Sequence, residues 1–281
     1  MSIKAEHLTY IYGEGTAFEQ YALKDVNFEI PDGQFVGLIG HTGSGKSTLI
    51  QHLNALMLPT SGKVLVDGTD TSEKGKATEI RKNVGLVFQY PEYQLFEETV
   101  EKDAAFGPRN LGLSEEEIKE RVTHALNLTG ISEENRKKSP FELSGGQKRR
   151  AAIAGVLTMK PKYLIMDEPA AGLDPAGRSE MRKLIRDIRS EGGTIIMVSH
   201  SMDDVARMCE RIIVMAKGKV ALDGTPSQVF RNGEMLEKIG LGLPGGAVLR
   251  DRLNKQGFSI PDDVYTLEGV RDAIVKQLKK G

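Results

Sequence analysis

Three short stretches carry residue types able to handle a phosphorylated substrate. Gly40-His41-Thr42-Gly43-Ser44-Gly45-Lys46-Ser47 fits the pattern G-x-x-x-x-G-K-[ST], with Thr48 next in line. Glycines let successive backbone N–H groups converge on phosphate oxygens, and a helix opening there adds a favourable dipole. The pattern aims Lys46 at β- and γ-phosphates and gives the Ser47 hydroxyl to Mg²⁺. A strand (VGLI) before the loop and an apolar helix pattern (TLIQHLNALM) after it separate a phosphate loop from a chance glycine-rich turn. This is a nucleotide site, and ATP with Mg²⁺ is the expected ligand.

The second stretch, Tyr163-Leu164-Ile165-Met166-Asp167-Glu168-Pro169, is an apolar strand ending in two carboxylates. Open α/β sheets place ligands at such strand ends. Asp167 suits the Mg²⁺ shell. Glu168, pointing to the other face, is a candidate for deprotonating or orienting the attacking water. The third is Leu143-Ser144-Gly145-Gly146-Gln147. Ser144 and Gln147 form a capping box at the head of a helix. Two glycines in that first turn cost roughly 1 kcal/mol each relative to Ala. That cost makes sense where bare N–H groups must approach a γ-phosphate closely.

The elements that must hold these residues read as an α/β fold. Apolar runs at Val36–Ile39, Val84–Phe88, Tyr163–Met166, Thr194–Val198 and Ile212–Met215 look like buried strands. Helical patterns between most of them predict a parallel sheet covered on both faces. Ile3–Tyr10, Ala22–Ile30 and Lys63–Val66 alternate, as half-buried strands do. From about 91 to 159 the pattern is helical. Ser114 and Glu117 form a capping box there, and the acidic triplet Glu115–Glu117 suits the helix dipole rather than a ligand. Beyond Pro226 the pattern loosens into short helical pieces, a small appended region.

Composition narrows the class. The 281 residues include 39% hydrophobic and 27% charged side chains, with net charge -1. Such a balance argues against nucleic acid held by bulk charge. The lone Cys209 cannot make an internal disulfide, which suits a reducing compartment. No run approaches the roughly 18 apolar residues of a membrane helix, so a role at a membrane requires partners that cross it.

With these motifs in order, the chain resembles the ABC ATPase family over about residues 3 to 225. Its signature is LSGGQ, and its two nucleotides lie between head-to-tail subunits. The resemblance implies a phosphate-loop, RecA-like core with an antiparallel β subdomain and an inserted helical subdomain, spanning 1–225, followed by a C-terminal extension at 226–281. It also implies roles. Tyr12 matches the aromatic that stacks on adenine, with Tyr10 two residues away as the alternative. Gln89 matches the glutamine that senses Mg²⁺, and His200 the histidine that contacts γ-phosphate. Ala171-Gly172-Leu173-Asp174 matches the loop that meets the partner's site, although its opening departs from the commoner serine. His7, His41, His52 and His124 gain no such support, although His41 lies within the phosphate loop.

A finer resemblance lies in VFQYPEYQLF (87–96), DAAFGPRNLG (103–112) and LSGGQKRR (143–150). These look like the ATPases of energy-coupling factor transporters, and HTGSGKST with AGLDP looks like the second, A2-type (CbiO-like), of two paired subunits. That family implies ATP hydrolysis at the cytoplasmic face of a prokaryotic cell membrane, powering uptake of vitamins or other micronutrients. It also implies a second ATPase subunit in a heterodimer, a transmembrane coupling subunit and a substrate-binding membrane subunit. The alternatives are a dedicated cobalt or nickel importer ATPase, a soluble ABC ATPase acting on ribosomes or DNA, and a cassette that binds ATP without turnover. The soluble class is disfavoured by a single cassette without heptads between Gln89 and the signature. Glu168 and His200 argue against a non-hydrolysing cassette.

Overall fold

A computed structural model describes residues 1–279 of the 281-residue chain. The chain opens with two long antiparallel strands, β1 (Ser2–Tyr12) and β2 (Gln20–Pro31). Simple alternation does not carry through either one. Ile3 and Ala5 are buried, but the next buried side chain on β1 is Leu8, and on β2 Leu23 is followed by Val26. The phase change falls at His7 and Asp25, whose φ angles are 50° and 52°. The register shifts between Ala5 and Leu8 where this bulge lies, so one extra residue per strand returns the apolar side chains to the core face. The His7 Nδ1 and Asp25 carboxylate, 2.8 Å apart, are left exposed on the other side.

Then come β3 (Phe35–Ile39), helix α1 (Lys46–Leu53), β4 (Ser61–Val66), β5 (Thr69–Asp70), α2 (Ala77–Asn83) and β6 (Val84–Val87). After them lie α3 (Val100–Asn110), α4 (Glu115–Leu128), α5 (Glu133–Arg136) and α6 (Gly145–Leu157). The chain returns through β7 (Tyr163–Asp167), α7 (Pro175–Ser190), β8 (Thr194–Val198), α8 (Met202–Met208), β9 (Arg211–Ala216) and β10 (Lys219–Gly224). Four helices close it: α9 (Pro226–Phe230), α10 (Gly233–Lys238), α11 (Gly245–Lys255) and α12 (Leu267–Leu278).

Two sheets result, an antiparallel one ordered β2-β1-β4-β5 and a six-stranded one ordered β10-β9-β3-β8-β7-β6. In the second, β9, β3, β8, β7 and β6 run parallel. β3, β6, β7 and β8 are buried along their whole length, as their unbroken apolar runs require. The sheet is not wholly parallel, however. β10 folds back antiparallel on β9 through Lys217 and Gly218, both at positive φ. Its sequence, KVALDG, is only half buried, so it lacked the apolar run that revealed the others.

The six-stranded sheet has two apolar faces. One packs against α1 and the antiparallel sheet, with Leu49, Ile50 and Leu53 meeting Ile3, Leu8, Val36 and Leu38. The other packs against α7 and α8 through Met181, Leu184, Ile185, Ile188 and Val205, and it also takes Phe230 and Leu236 from α9 and α10. Cys209 sits in this second core, where burial pushes its thiol well above the ordinary range. A third core joins α3, α4 and α6 through Ala104, Ile118, Val122, Leu126 and Ala151.

Candidate active site: a phosphate loop at the carboxyl edge of the parallel sheet

Because β3, β6, β7 and β8 are parallel neighbours, their carboxyl ends share one edge. Each of these strands delivers a predicted site residue there: β3 leads into the 40–47 loop, β6 into Gln89, β7 ends at Asp167-Glu168, and β8 leads into His200. The structure gathers all four into one cavity of about 370 Å³, lined by the loop, Gln89, Asp167, Glu168, Val198 and His200.

The loop's shape depends on particular glycines. A Cβ on Gly40 would fall 2.4 Å from the Met215 carbonyl oxygen, and one on Gly45, at φ 103°, would fall 2.6 Å from that of Ala22. The backbone therefore runs closer to its neighbours than any other residue allows. α1 starts immediately after it, and Gly45 provides no side-chain cap. By contrast Thr99, Ser114 and Asp174 cap α3, α4 and α7 with their own oxygens. The first-turn N–H groups of α1 thus remain available to an anion. Lys46, buried, donates from Nζ to the carbonyls of Gly40 at 2.7 Å and His41 at 3.1 Å. Ser44 Oγ is buried without a partner.

Burial governs the charges here. It lowers the Lys46 ammonium, which Glu168 and Asp167 partly restore. It raises Asp167, against the pull of Lys46. Glu168 is pushed up to about 7, mainly by burial and further by Asp167, while a bond from His200 N and the charge of Lys46 oppose the rise. That bond reaches Oε2 at 3.3 Å. His200 Nε2 lies 3.3 Å from the other oxygen, Oε1, but off the hydrogen-bond direction, so Oε1 is buried without a partner. Burial and Lys46 also lower His200. A carboxylate poised near 7, with one oxygen free, is suited to taking a proton from water.

The donor set also fits a small hard cation. The Ser47 hydroxyl, the Asp167 carboxylate and the Gln89 amide oxygen are all oxygen ligands in the cavity wall. Among the described residues no cluster of three His, Cys, Asp or Glu forms a cage. Few protein oxygens, with the rest from phosphate and water, is how Mg²⁺ is usually held.

Tyr12 stands at the rim on the last residue of β1, 42% exposed, its hydroxyl 3.2 Å from Thr48 Oγ1 at the head of α1. Tyr10 is the more enclosed of the two, packed on the core and edge-on to both Tyr12 and His52. Of the two aromatics, Tyr12 offers the free ring. His52 itself is fully buried and bonds Thr48 O, a packing role.

The signature residues lie elsewhere. Ser144 and Gln147 form the capping box, with Ser144 N donating to Gln147 Oε1 at 2.9 Å. Ser144, Gly145, Gly146 and Asp174 line a second, more open hollow of about 640 Å³ that shares no residue with the first. Around Gly145 and Gly146 a Cβ would meet nothing within 4 Å. Asp174 caps α7 by accepting from Gly177 N at 2.7 Å.

One residue in this hollow lay within a quoted motif, LSGGQKRR, but had no role assigned there. Arg149, 3% exposed, bonds Glu92 through both Nε and Nη2 and donates from Nη1 to the carbonyls of Pro169 and Ala171. Its partners lie 57 and about 20 positions away in sequence, beyond any local pattern. The available signal was its place four residues before the buried Ile153 on α6, a charge on a core-facing position.

Residues 23–171 match the ABC transporter family. An energy-coupling factor transporter ATP-binding protein EcfA2 from Caldanaerobacter subterraneus subsp. tengcongensis is 58% identical, over 99% of this chain and 98% of its own. The EcfA2 protein of Clostridium tetani is 57% identical, over 98% and 97%. Among solved structures, cbiO1 from Clostridium perfringens, part of the ABC transporter complex cbiONQ, aligns with TM-score 0.75 and 41% identity, covering 90% of this chain and 97% of that one. A dimeric ATP-binding cassette in a post-hydrolysis state, bound to ADP and Pi, aligns with TM-score 0.71 and 30% identity, covering 80% and 98%. A phosphate loop, paired carboxylates and a signature helix on this fold, together with full-length identity above one half, place the chain among the ABC transporter ATPases, in the energy-coupling factor ATP-binding protein family of the EcfA2 type.

Proposed function

We propose that this chain is one of two ATP-hydrolysing subunits of an energy-coupling factor importer, and that its ATP site is completed by the neighbouring subunit. The observation that carries the shared site is the separation of the two hollows. A Cβ on Gly145 or Gly146 would meet nothing within 4 Å, and neither glycine shares a cavity with Lys46, so the glycines answer to a surface outside the chain. A γ-phosphate held by a partner's phosphate loop fits that surface. ATP then bridges the pair, and its hydrolysis removes the bridge.

Within one site the residues divide the work. Tyr12 stacks on adenine. Lys46 exchanges its carbonyl partners for β- and γ-phosphate oxygens, and the N–H groups of residues 42–48 close around them. Ser47, Asp167 and Gln89 would hold Mg²⁺, which would supply positive charge beside those oxygens. Glu168 accepts a proton as water attacks the γ-phosphorus, and the bond to the β-bridging oxygen breaks with its electron pair leaving on ADP. His200, beside Glu168, donates to the γ-phosphate.

Residues 1–225 form the cassette in this reading, with a helical subdomain at about 91–159, and 226–281 contribute to subunit contact. Among the described residues no helix is long and apolar enough to cross a membrane. Attachment at the cytoplasmic face would then pass through a transmembrane coupling subunit, with substrate chosen by a separate membrane protein. Exposed Phe96 and Phe106, stacked edge-on with centres 4.9 Å apart, offer an aromatic face for that coupling subunit. The decisive experiment is Glu168→Gln in the assembled transporter. ATP binding should persist, turnover should fall at least ~100-fold, and ATP should lock the two ATPases together. Near-normal turnover would remove Glu168 from its role.

A further inference from the structure

Two residues, one lining each hollow, have left-handed backbones although neither is glycine. Tyr90, directly after Gln89, has φ 55°, and Glu168 has φ 49°. Such conformations persist only where surrounding contacts over-determine them, and they gather at switch regions. The Tyr90 ring faces the Arg149 guanidinium, and the turn that begins at Glu168 bonds the same group through Pro169 and Ala171.

Arg149 uses all three of its nitrogens in four hydrogen bonds. Nε and Nη2 bind the two Glu92 oxygens at 3.1 and 2.8 Å. Nη1 binds Ala171 O at 2.7 Å and Pro169 O at 3.3 Å. Its carbon lies 5.7 Å from the Tyr90 ring centre, and that ring in turn lies against Gly172. Burial alone would raise Glu92, but the bonds from Arg149 outweigh it and hold the carboxyl below its usual range. The pair is therefore ionised, bidentate and part-buried, the geometry in which Arg cannot be replaced by Lys.

The connections are mechanical. Glu92 belongs to the short turn Pro91–Gln94 that Tyr90 opens, immediately downstream of Gln89. Arg149 sits in α6, three residues beyond Gly146. Pro169 and Ala171 form the turn that Glu168 begins, closed by Ala171 N donating to Glu168 O at 3.0 Å. A displacement of the 90–94 turn, or of the head of α6, reaches the Glu168 turn through this one side chain.

We propose that Arg149, paired with Glu92, is the positioning residue that sets Glu168 for attack and ties its placement to the 90–94 turn and the signature helix. It lies outside the wall of the cavity that holds Lys46 and Glu168. The inference rests on Glu168 being the base, which Glu168→Gln tests separately.

The test uses the full transporter complex, with Glu92→Gln, Arg149→Lys and the double variant. Each single variant should lower kcat roughly tenfold, the effect of slight misplacement of a reacting group, while KM for ATP and the affinity for a non-hydrolysable ATP analogue stay within about twofold. Because both changes break one unit, the double variant should be no slower than the slower single one. Unchanged kcat would overturn the proposal, as would multiplicative losses in the double variant. It would also fail if analogue affinity and melting temperature fell in step with kcat, since general loosening of the fold does that. If Arg149→Lys does not assemble, Glu92→Gln alone decides by the same kcat and affinity criteria. Loss of turnover in Glu168→Gln with normal kcat in the Arg149 and Glu92 variants would leave the base assigned and the positioning role refuted.

Discussion

Glu168 carries the clearest consequence at the scale of single residues. Its folded value near 7 stands above the ordinary 4.5 because burial disfavours the charged form. As pH rises from 4.5 to 7 the unfolded chain loses this proton before the folded chain does, so stability falls across that window and stays lowered above it. Glu168→Gln should therefore be more stable than the parent at about pH 8, by on the order of 1–3 kcal/mol, and gain nothing below pH 4.5. Thermal melts of the nucleotide-free protein at several pH values measure this. In turnover the sign is the same proton seen from the other side. kcat/KM should fall about tenfold per unit as pH drops below ~7, because that ratio reports the free enzyme's base. At the rim, Tyr12→Ala should remove stacking worth ~1–3 kcal/mol per base. The expected result is KM for ATP raised about tenfold or more with kcat preserved, and inorganic tripolyphosphate binding unaltered.

Secondary-structure elements make their own prediction at the head of α6. Gly145 and Gly146 lie in a helical first turn with open space where a Cβ would sit. Within the chain alone, Gly146→Ala should be neutral or stabilising by up to ~1 kcal/mol. If these glycines serve a neighbour's γ-phosphate, the same change should cut turnover of the assembled pair by about tenfold or more. Melting temperature and steady-state ATPase rate, moving in opposite directions, separate the two readings. An unaffected rate would mean the glycines are no phosphate receptor. At α1 the position is reversed, because there the glycines are fixed by close backbone approaches inside the chain. One loop needs glycine to fold, the other to be met.

For the whole molecule, the two separated hollows imply that hydrolysis depends on association. Purified alone and dilute, the chain should turn over ATP slowly, with activity per subunit rising as its partner is added. Sedimentation alongside ATPase measurements checks this, and full activity from a demonstrated monomer would sink the shared site. The C-terminal helices bear on the same scale. α11 and α12 clasp α8, with Gly245 N on Asp203 at 2.9 Å and Arg207 on Glu268 at 3.1 Å. α8 begins just after His200, so the extension is anchored next to the active edge rather than hanging free.

Much of this was written locally. The phosphate loop, the strand ending in Asp167-Glu168 and the capping box at Ser144 are short-range patterns whose chemistry requires fixed spacing, so residues 40–48, 144–147 and 163–169 were legible in one dimension. Buried strands were equally plain, because a strand covered on both faces must be apolar throughout. What escaped was whatever depends on distant neighbours. The bulges at His7 and Asp25 arise from pairing between β1 and β2, the half-buried β10 exists because β9 offers an edge, and Arg149 finds Glu92 only when α6 is laid beside the 90–94 turn. The order of motifs determined which atoms can do the chemistry. Parallel packing of β3, β6, β7 and β8 decided that four of them share one cavity and that the signature does not, since strand direction and helix placement are properties of the folded chain and of no segment alone.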